Sequence, residues 1–497
     1  MRRGPAIVVG AATLLVAGGV AALASGRIPL GVPGEWEWLR LQSGPDPIRV
    51  AVALAAIAAY AIFVALGSRS LAGRVGPIRE WAWLAGLAAA AAATQAAVQD
   101  GAPEGYGLEK WVVALHNSGS SGYLSVAGAA MDDPARFLAD YPAWIARQDA
   151  LHIGTHPPGL FVATHAVLRR MQGSAGLARG VVDLAPPSTV RMIRAYRDDR
   201  RLSLAEAATV AAIGALTLLA CSLTVVPLYG LARASGLGPM GAWASAAIWP
   251  VVPSALMFQP TADAAFPLLS ASALALAAWG ARDAGRLRGL LPCLAAGVIL
   301  GVGMFFTLAF LPVGLVVGVL LATTPALPWP RRIGLISAVG VGFLAVTLGW
   351  WAATSGNPFA IWYHNQANHA RFYVEHPRTY WAWVLENPIE LAIGLGLPAS
   401  LWVAIGLRSP RTASAPRVAW ITLGVLAFLT LGGRSLSEVG RLWLPFMPAL
   451  LVAAGAGFGR LGGGPRTLAA TVALIAGQTL LMQCLIQVVY PIVVKPA

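Results

Sequence analysis

Apolar stretches of about 20 residues, the length a helix needs to cross the hydrocarbon of a bilayer, recur from one end of this 497-residue chain to the other. That repetition restricts the fold to structures that satisfy every backbone N–H and C=O internally. Helices do this within each segment. A barrel would need alternating segments of about 10 residues, whereas runs such as Leu84 to Ala97 are continuously apolar and Ala-rich. Only 11% of the residues are charged, against roughly 25% in an ordinary soluble domain. The expected fold is therefore all-α, a polytopic transmembrane helical bundle formed by one domain over 1–497.

The net charge of +14 does not point to nucleic acid. Lysine occurs only at Lys110 and Lys495, and the arginines gather in short links between apolar runs. That is the positive-inside pattern of membrane topology, not a basic face interleaved with aromatics. The preference for arginine, with abundant Ala and Gly, suggests a GC-rich bacterial genome and hence the bacterial inner membrane. Cys221, Cys293 and Cys484 lie far apart inside apolar runs and read as small buried hydrophobes rather than a disulfide or metal framework. Met1-Arg2-Arg3 and the apolar run to Ala24 look like a signal peptide, but the run is long and reads as a retained first helix.

Candidate spans lie at roughly 5–25, 48–67, 80–98, 157–171, 206–232, 239–257, 264–281, 290–306, 309–323, 333–353, 387–407, 417–431, 442–458 and 467–490. Basic links place Arg69 to Arg79, Arg282 to Arg288, Arg331-Arg332, Arg408 to Arg417 and Arg460 to Arg466 on the cytoplasmic side. The opposite side receives a first outer loop, 99–156, a second, 354–386, and the short link 432–441. Five apolar segments separate the cytoplasmic links at 79 and 282, and an odd number of crossings cannot return the chain to the same side. The segment 157–171, only about 22 Å long as a helix, is the first suspect, which leaves about 13 spans. The Arg-rich stretch 169–201 that follows it would pull its end to the cytoplasm.

Titratable residues concentrate outside. Six of the seven histidines lie in the two outer loops: His116, His152, His156, His364, His369 and His376. Seven of the 21 carboxylates lie in or beside the first loop: Asp100, Glu104, Glu109, Asp132, Asp133, Asp140 and Asp149. Loops on a rigid scaffold commonly carry catalytic groups. Segments 108–116 and 135–147 predict short amphipathic helices at the interface, with Trp and Tyr at headgroup depth. The string His152-Ile153-Gly154-Thr155-His156-Pro157-Pro158-Gly159 opens the next apolar run. Proline suits a first helical turn, so both histidines stand just ahead of a helix N-terminus, where exposed N–H groups favour an anion such as phosphate.

This His-Pro-Pro string, following a loop with surface helices, resembles the GT-C superfamily of membrane glycosyltransferases, which includes protein O-mannosyltransferases and aminoarabinose transferases. Three further stretches are similar: Ser121-Gly122-Tyr123-Leu124-Ser125-Val126-Ala127, Pro253 followed by Asp263, and Glu438-Val439-Gly440-Arg441 continuing through Pro445 to Pro448. The likeness covers most of the chain in short motifs. It departs from the family in lacking an Asp-Glu pair just before Tyr123. The resemblance implies transfer of a sugar from a polyprenyl-phosphate carrier to a glycan, lipid or protein acceptor at the outer face, by an inverting displacement. Such chemistry needs a carboxylate base and donors for the phosphate leaving group.

By position, Asp100 is the first choice of base and Asp132 or Asp133 the second, though Asp133 before Pro134 also reads as a helix N-cap. Arg441 is the expected phosphate ligand, with Glu438, Arg371, His152 and His156 beside it. Tyr123, Trp362, His364 and His369 are candidates for the sugar or acceptor, or form an aromatic interface belt. His152 and His156 have the four-residue spacing of a zinc pair, but no acidic residue lies between them, so no protein-held metal is expected. The sequence calls for no cofactor, although a loosely held divalent cation beside phosphate is compatible with it. The competing function is a lipid or sugar transporter or flippase, which would place charge inside the membrane and break helices in matched halves. A third is a non-catalytic envelope subunit.

Overall fold

The computed structural model describes residues 3–488 apart from 27–29, 74–75, 118, 149, 151, 283–285, 326 and 411–412. It is almost entirely helical, with two short antiparallel pairings: Gly31–Val32 with Trp36–Glu37, and Leu39–Arg40 with Ile486–Gln487. Among the described residues, eight helices are long and apolar enough to cross a membrane: Arg3–Ala24, Pro47–Leu71, Pro77–Asp100, Leu204–Ala234, Ala262–Arg282, Trp329–Thr354, Ser414–Leu431 and Pro465–Leu485. The number becomes nine if the pair Tyr380–Leu395 and Leu397–Leu407, bent by 106°, is one span. Arg288–Gly303, Phe310–Ala322 and Leu444–Arg460 are apolar but shorter. Eight or more helices among the described residues are thus long and apolar enough to span, and the remaining segments expected to span are shorter or broken.

Segment 157–171 is one of those that falls short. It forms Gly159–Gln172, 14 residues ending in Arg169 and Arg170. The chain then continues through Ala175–Asp183 and Pro187–Asp198. These helices stay at the end of the bundle that carries Asp100. Ser188 donates its hydroxyl to Asp100 (2.6 Å), Thr189 to the Leu108 carbonyl (3.0 Å), and Arg191 pairs with Glu109 at 3.6 Å. Only after them does Leu204–Ala234 run back, opened by a capping box between Ser203 and Glu206. At the far end Tyr229 meets Glu80, and Arg282 donates to the Arg233 carbonyl. The segment 239–257 is broken into Pro239–Ile248, Trp249–Val251 and Pro253–Met257, and its end returns to the Asp100 end of the bundle, where the Met257 carbonyl accepts from Lys110 (3.1 Å). Counted with the three longer helices, it gives four apolar segments between the links at 79 and 282. The first loop is correspondingly longer than 99–156 and runs on to about residue 203. Two arginines of 169–201 are paired with carboxylates, Arg191 with Glu109 and Arg201 with Asp199.

Within the loop, Lys110–His116 and Pro134–Ile145 are helical where 108–116 and 135–147 were expected to be, and Tyr123–Ala129 adds a third. Lys110 to Leu115 are all buried, so Trp111 packs inside the bundle and not at an interface. Asp133 caps Pro134–Ile145, accepting from the N–H groups of Ala135 and Arg136. The second loop is the helix Pro358–Glu375, capped by Asn357.

Small residues let the bundle helices approach closely, as in other membrane bundles. Gly297 and Gly342 are the reciprocal contact between Arg286–Gly303 and Trp329–Thr354. A Cβ at either would lie 2.0 or 2.1 Å from a backbone carbonyl oxygen of the other helix. Buried indoles are satisfied internally: Trp243 donates to the Val64 carbonyl and Trp249 to that of Cys221.

Two outcomes follow from this packing. Gly342→Val should cost about 1–3 kcal/mol by overpacking, read as a lower melting temperature in detergent. In a background without the native cysteines, Ala185→Cys and Arg460→Cys should react with a membrane-impermeant thiol reagent from opposite sides. Labelling from one side would contradict the fold of 159–203.

Candidate functional site

The His-Pro-Pro-Gly string owes its glycine to a close backbone crossing. The Gly159 N–H donates to the Phe305 carbonyl at 2.7 Å, and a Cβ there would stand 2.4 Å from that oxygen. The next carbonyl, of Phe306, takes a hydrogen bond from His156 Nδ1 at 3.2 Å. Because a carbonyl only accepts, Nδ1 carries the proton of the neutral ring and Nε2 is left as an acceptor. Burial holds the His156 pKa below its ordinary value, in part against the attraction of Asp263, so the ring is neutral at pH 7.

Three side chains fix this turn from outside. Tyr141 donates its hydroxyl to the His156 carbonyl (2.8 Å), Asn365 donates to the carbonyls of His156 and Gly154 (3.0 and 3.1 Å), and Asn368 donates to those of Gly154 and Ile145 (2.8 and 3.1 Å). The second loop therefore holds the first through buried amides. Tyr123, placed by Gly122 in the left-handed region (φ 69°), packs edge-on against His156 with ring centroids 5.8 Å apart.

The charged group beside them comes from two more segments. Arg441 Nη2 pairs with Glu438 at 2.7 Å, and its Nε lies 4.0 Å from Asp263. All three side chains are about one-fifth exposed. Ser437 and Glu438 hold positive φ values of 81° and 54°, a strained backbone for residues other than glycine, which turns Glu438 back onto Arg441. Burial opposes the Arg441 charge, but Glu438 and Asp263 outweigh it and raise its pKa. Beneath this turn, Glu390 of the bent helix accepts from the Gly440 N–H at 2.9 Å. Its other oxygen and the hydroxyl of Ser254 are buried without partners.

Of the residues expected from sequence, Tyr123, His156, Glu438 and Arg441 come together. A second carboxylate joins them, Asp263, named in the sequence only as part of the Pro-then-Asp motif. Asp100 instead joins a separate group, hydrogen-bonded by Ser188 and 4.0 Å from Arg49, which pairs with Glu109 at 2.8 Å. Asp132 and Asp133 are exposed, and Asp133 is engaged as a helix cap. Arg371 is tied to the Gln148 carbonyl and to Glu375, not to the Arg441 group. Trp362 packs with Phe343 and Phe359, His364 with Tyr363, and His369 with Tyr373 and the Arg434 carbonyl. The side chain of His152 lies outside the described residues. Among the described residues, no group of three or more His, Cys, Asp or Glu is placed to hold a metal. The roles of Asn365 and Asn368, which tie the second loop to the carbonyls of the first, were not visible in sequence.

Compared with known proteins, the chain matches no family model and no curated relative.

A histidine whose folded pKa is depressed gives stability that is complete above the unfolded value of about 6.5 and falls as pH drops through it. Between about pH 7.5 and 5.5, the melting temperature of the wild type should therefore fall more steeply than that of His156→Gln, which keeps a donor for the Phe306 carbonyl. Parallel profiles would show that His156 is not held neutral.

Proposed function

We propose that the chain is an integral membrane glycosyltransferase of GT-C type in a bacterial inner membrane. It moves a sugar from a polyprenyl-phosphate carrier to an acceptor at the outer face. The observation that carries this reading is convergence. Four segments distant in sequence, each carrying one of the motifs that resemble the family, bring Tyr123, His156, Asp263 and the Glu438–Arg441 pair to one place at the loop end of the bundle.

In this mechanism Asp263 is the base, the role that position alone had suggested for Asp100. The acceptor oxygen bonds to the anomeric carbon while the bond from that carbon to the phosphate oxygen breaks. The acceptor proton passes to the Asp263 carboxylate, and the electron pair departs on the phosphate. Arg441, whose Nε has no hydrogen-bond partner, stabilises that charge. Glu438 orients Arg441, and the neutral His156 ring supplies an acceptor at Nε2. General base and leaving-group clamp must act on one reacting centre, which their proximity satisfies.

One observation favours the transporter alternative: the bent pair Tyr380–Leu395 and Leu397–Leu407 carries a buried glutamate close to its break. The two readings separate experimentally. With purified protein in nanodiscs and a panel of polyprenyl-phosphate sugars, Asp263→Asn should lower transfer by about 10²–10⁴-fold. Arg441→Ala should lower it by about 10²–10³-fold, while Asp100→Asn keeps it within a few-fold. Substrate flux across proteoliposomes without any transfer would establish the transporter instead.

A further inference from the structure

At the opposite end of the bundle, the first turn of Ser414–Leu431 half-buries a cation that no carboxylate pairs with among the described residues. Nε and Nη1 of Arg417 are both inaccessible and without partners, and Nη2 reaches only the Ser414 hydroxyl at 3.5 Å. The charged neighbour that acts on it is another cation, Arg332. Arg332 is fixed in place. Its Nε donates to the Leu327 carbonyl (2.8 Å), its Nη1 donates to the Ala322 carbonyl at the end of Phe310–Ala322 (2.7 Å), and its guanidinium lies 5.0 Å over the Trp329 ring. The links that carry them, 323–332 and 408–417, contain five arginines and no carboxylate. Two guanidinium groups close enough to repel, one of them with two inaccessible and unpartnered nitrogens and neither link carrying an acid, would be stabilised by an anion between them.

We propose that Arg417 and Arg332 form a phosphate site, occupied by the headgroup of an anionic phospholipid in the leaflet at the arginine-rich end. The planar forks suit phosphate oxygens. Trp329, 62% exposed beside Arg332, marks the headgroup depth at which such a lipid sits. The N-terminal turn of the 18-residue helix Ser414–Leu431, which has no side-chain cap, adds N–H donors on the same side. The site is remote from the Arg441 group and does not depend on the function proposed for it.

The test is native mass spectrometry of the full chain extracted from nanodiscs of equal phosphatidylglycerol and phosphatidylcholine. The wild type should retain phosphatidylglycerol in preference. Arg417→Gln and Arg332→Gln should each retain about tenfold less, the scale of one lost charge-assisted contact, while the exposed Arg460→Gln at the same end leaves retention unchanged. Arg417→Lys, which keeps the charge but not the fork, should fall between, and it separates lost binding from lost folding. Equal retention by wild type and Arg417→Gln would overturn the proposal. So would stabilisation of the detergent-solubilised wild type by inorganic phosphate as strongly as by phosphatidylglycerol, which would make the anion a free one.

Discussion

The crossing of Gly159 over Phe305 is the contact on which the loop end of this protein depends. Two successive carbonyls, those of Phe305 and Phe306, accept from the Gly159 N–H and the His156 ring and so clamp the first loop to the end of a bundle helix. In an apolar surrounding an unpaired peptide group is costly, so the crossing is either made or it disrupts both partners. From it the rest is placed. His156 is held neutral, its own carbonyl faces Asn365 and Tyr141, and Tyr123 rests on its ring. The second loop then has no freedom to move independently of the first.

The charges at this end are divided into two groups with different consequences. Around Arg441 stand Asp263 and Glu438, with Glu390 close beneath, so carboxylates outnumber cations. The remaining donors of the Arg441 fork are what an incoming phosphate can use. Around Asp100, by contrast, Arg49 and Arg191 face Asp100 and Glu109 in near balance, with Ser188 added. Such a balanced group holds the helices 187–198 and 110–116 onto the bundle and leaves Asp100 engaged.

Segment identity was legible in the residues themselves. Hydrophobic length marked the spans, Pro157-Pro158 marked a helix start, Asp133-Pro134 marked a cap, and the clustering of histidines marked the end where the polar chemistry gathers. The short motifs around Tyr123, His156, Asp263 and Arg441 could each be recognised because each is a local matter of turn geometry or residue type. Other features were not legible because they depend on partners far away in the chain. Eight arginines between 169 and 201 read as a cytoplasmic signal when counted alone. Their neighbours include Glu109 and Asp199, in a stretch that Ser188 and Thr189 tie to Asp100 and Leu108.

What the sequence by itself determined is that this chain must live among lipids as helices, with its titratable side chains gathered at one end. Composition and periodicity suffice for that, since the bilayer penalises any other arrangement of the backbone. What only the tertiary structure decided is which distant carboxylate joins Glu438 beside Arg441 and to which end of the bundle the segment 159–203 is tied. Both answers turn on contacts between residues more than 80 positions apart, such as Ser188 with Asp100 and Arg441 with Asp263. Such pairs are selected by how whole helices pack, and no local pattern of residue types encodes them.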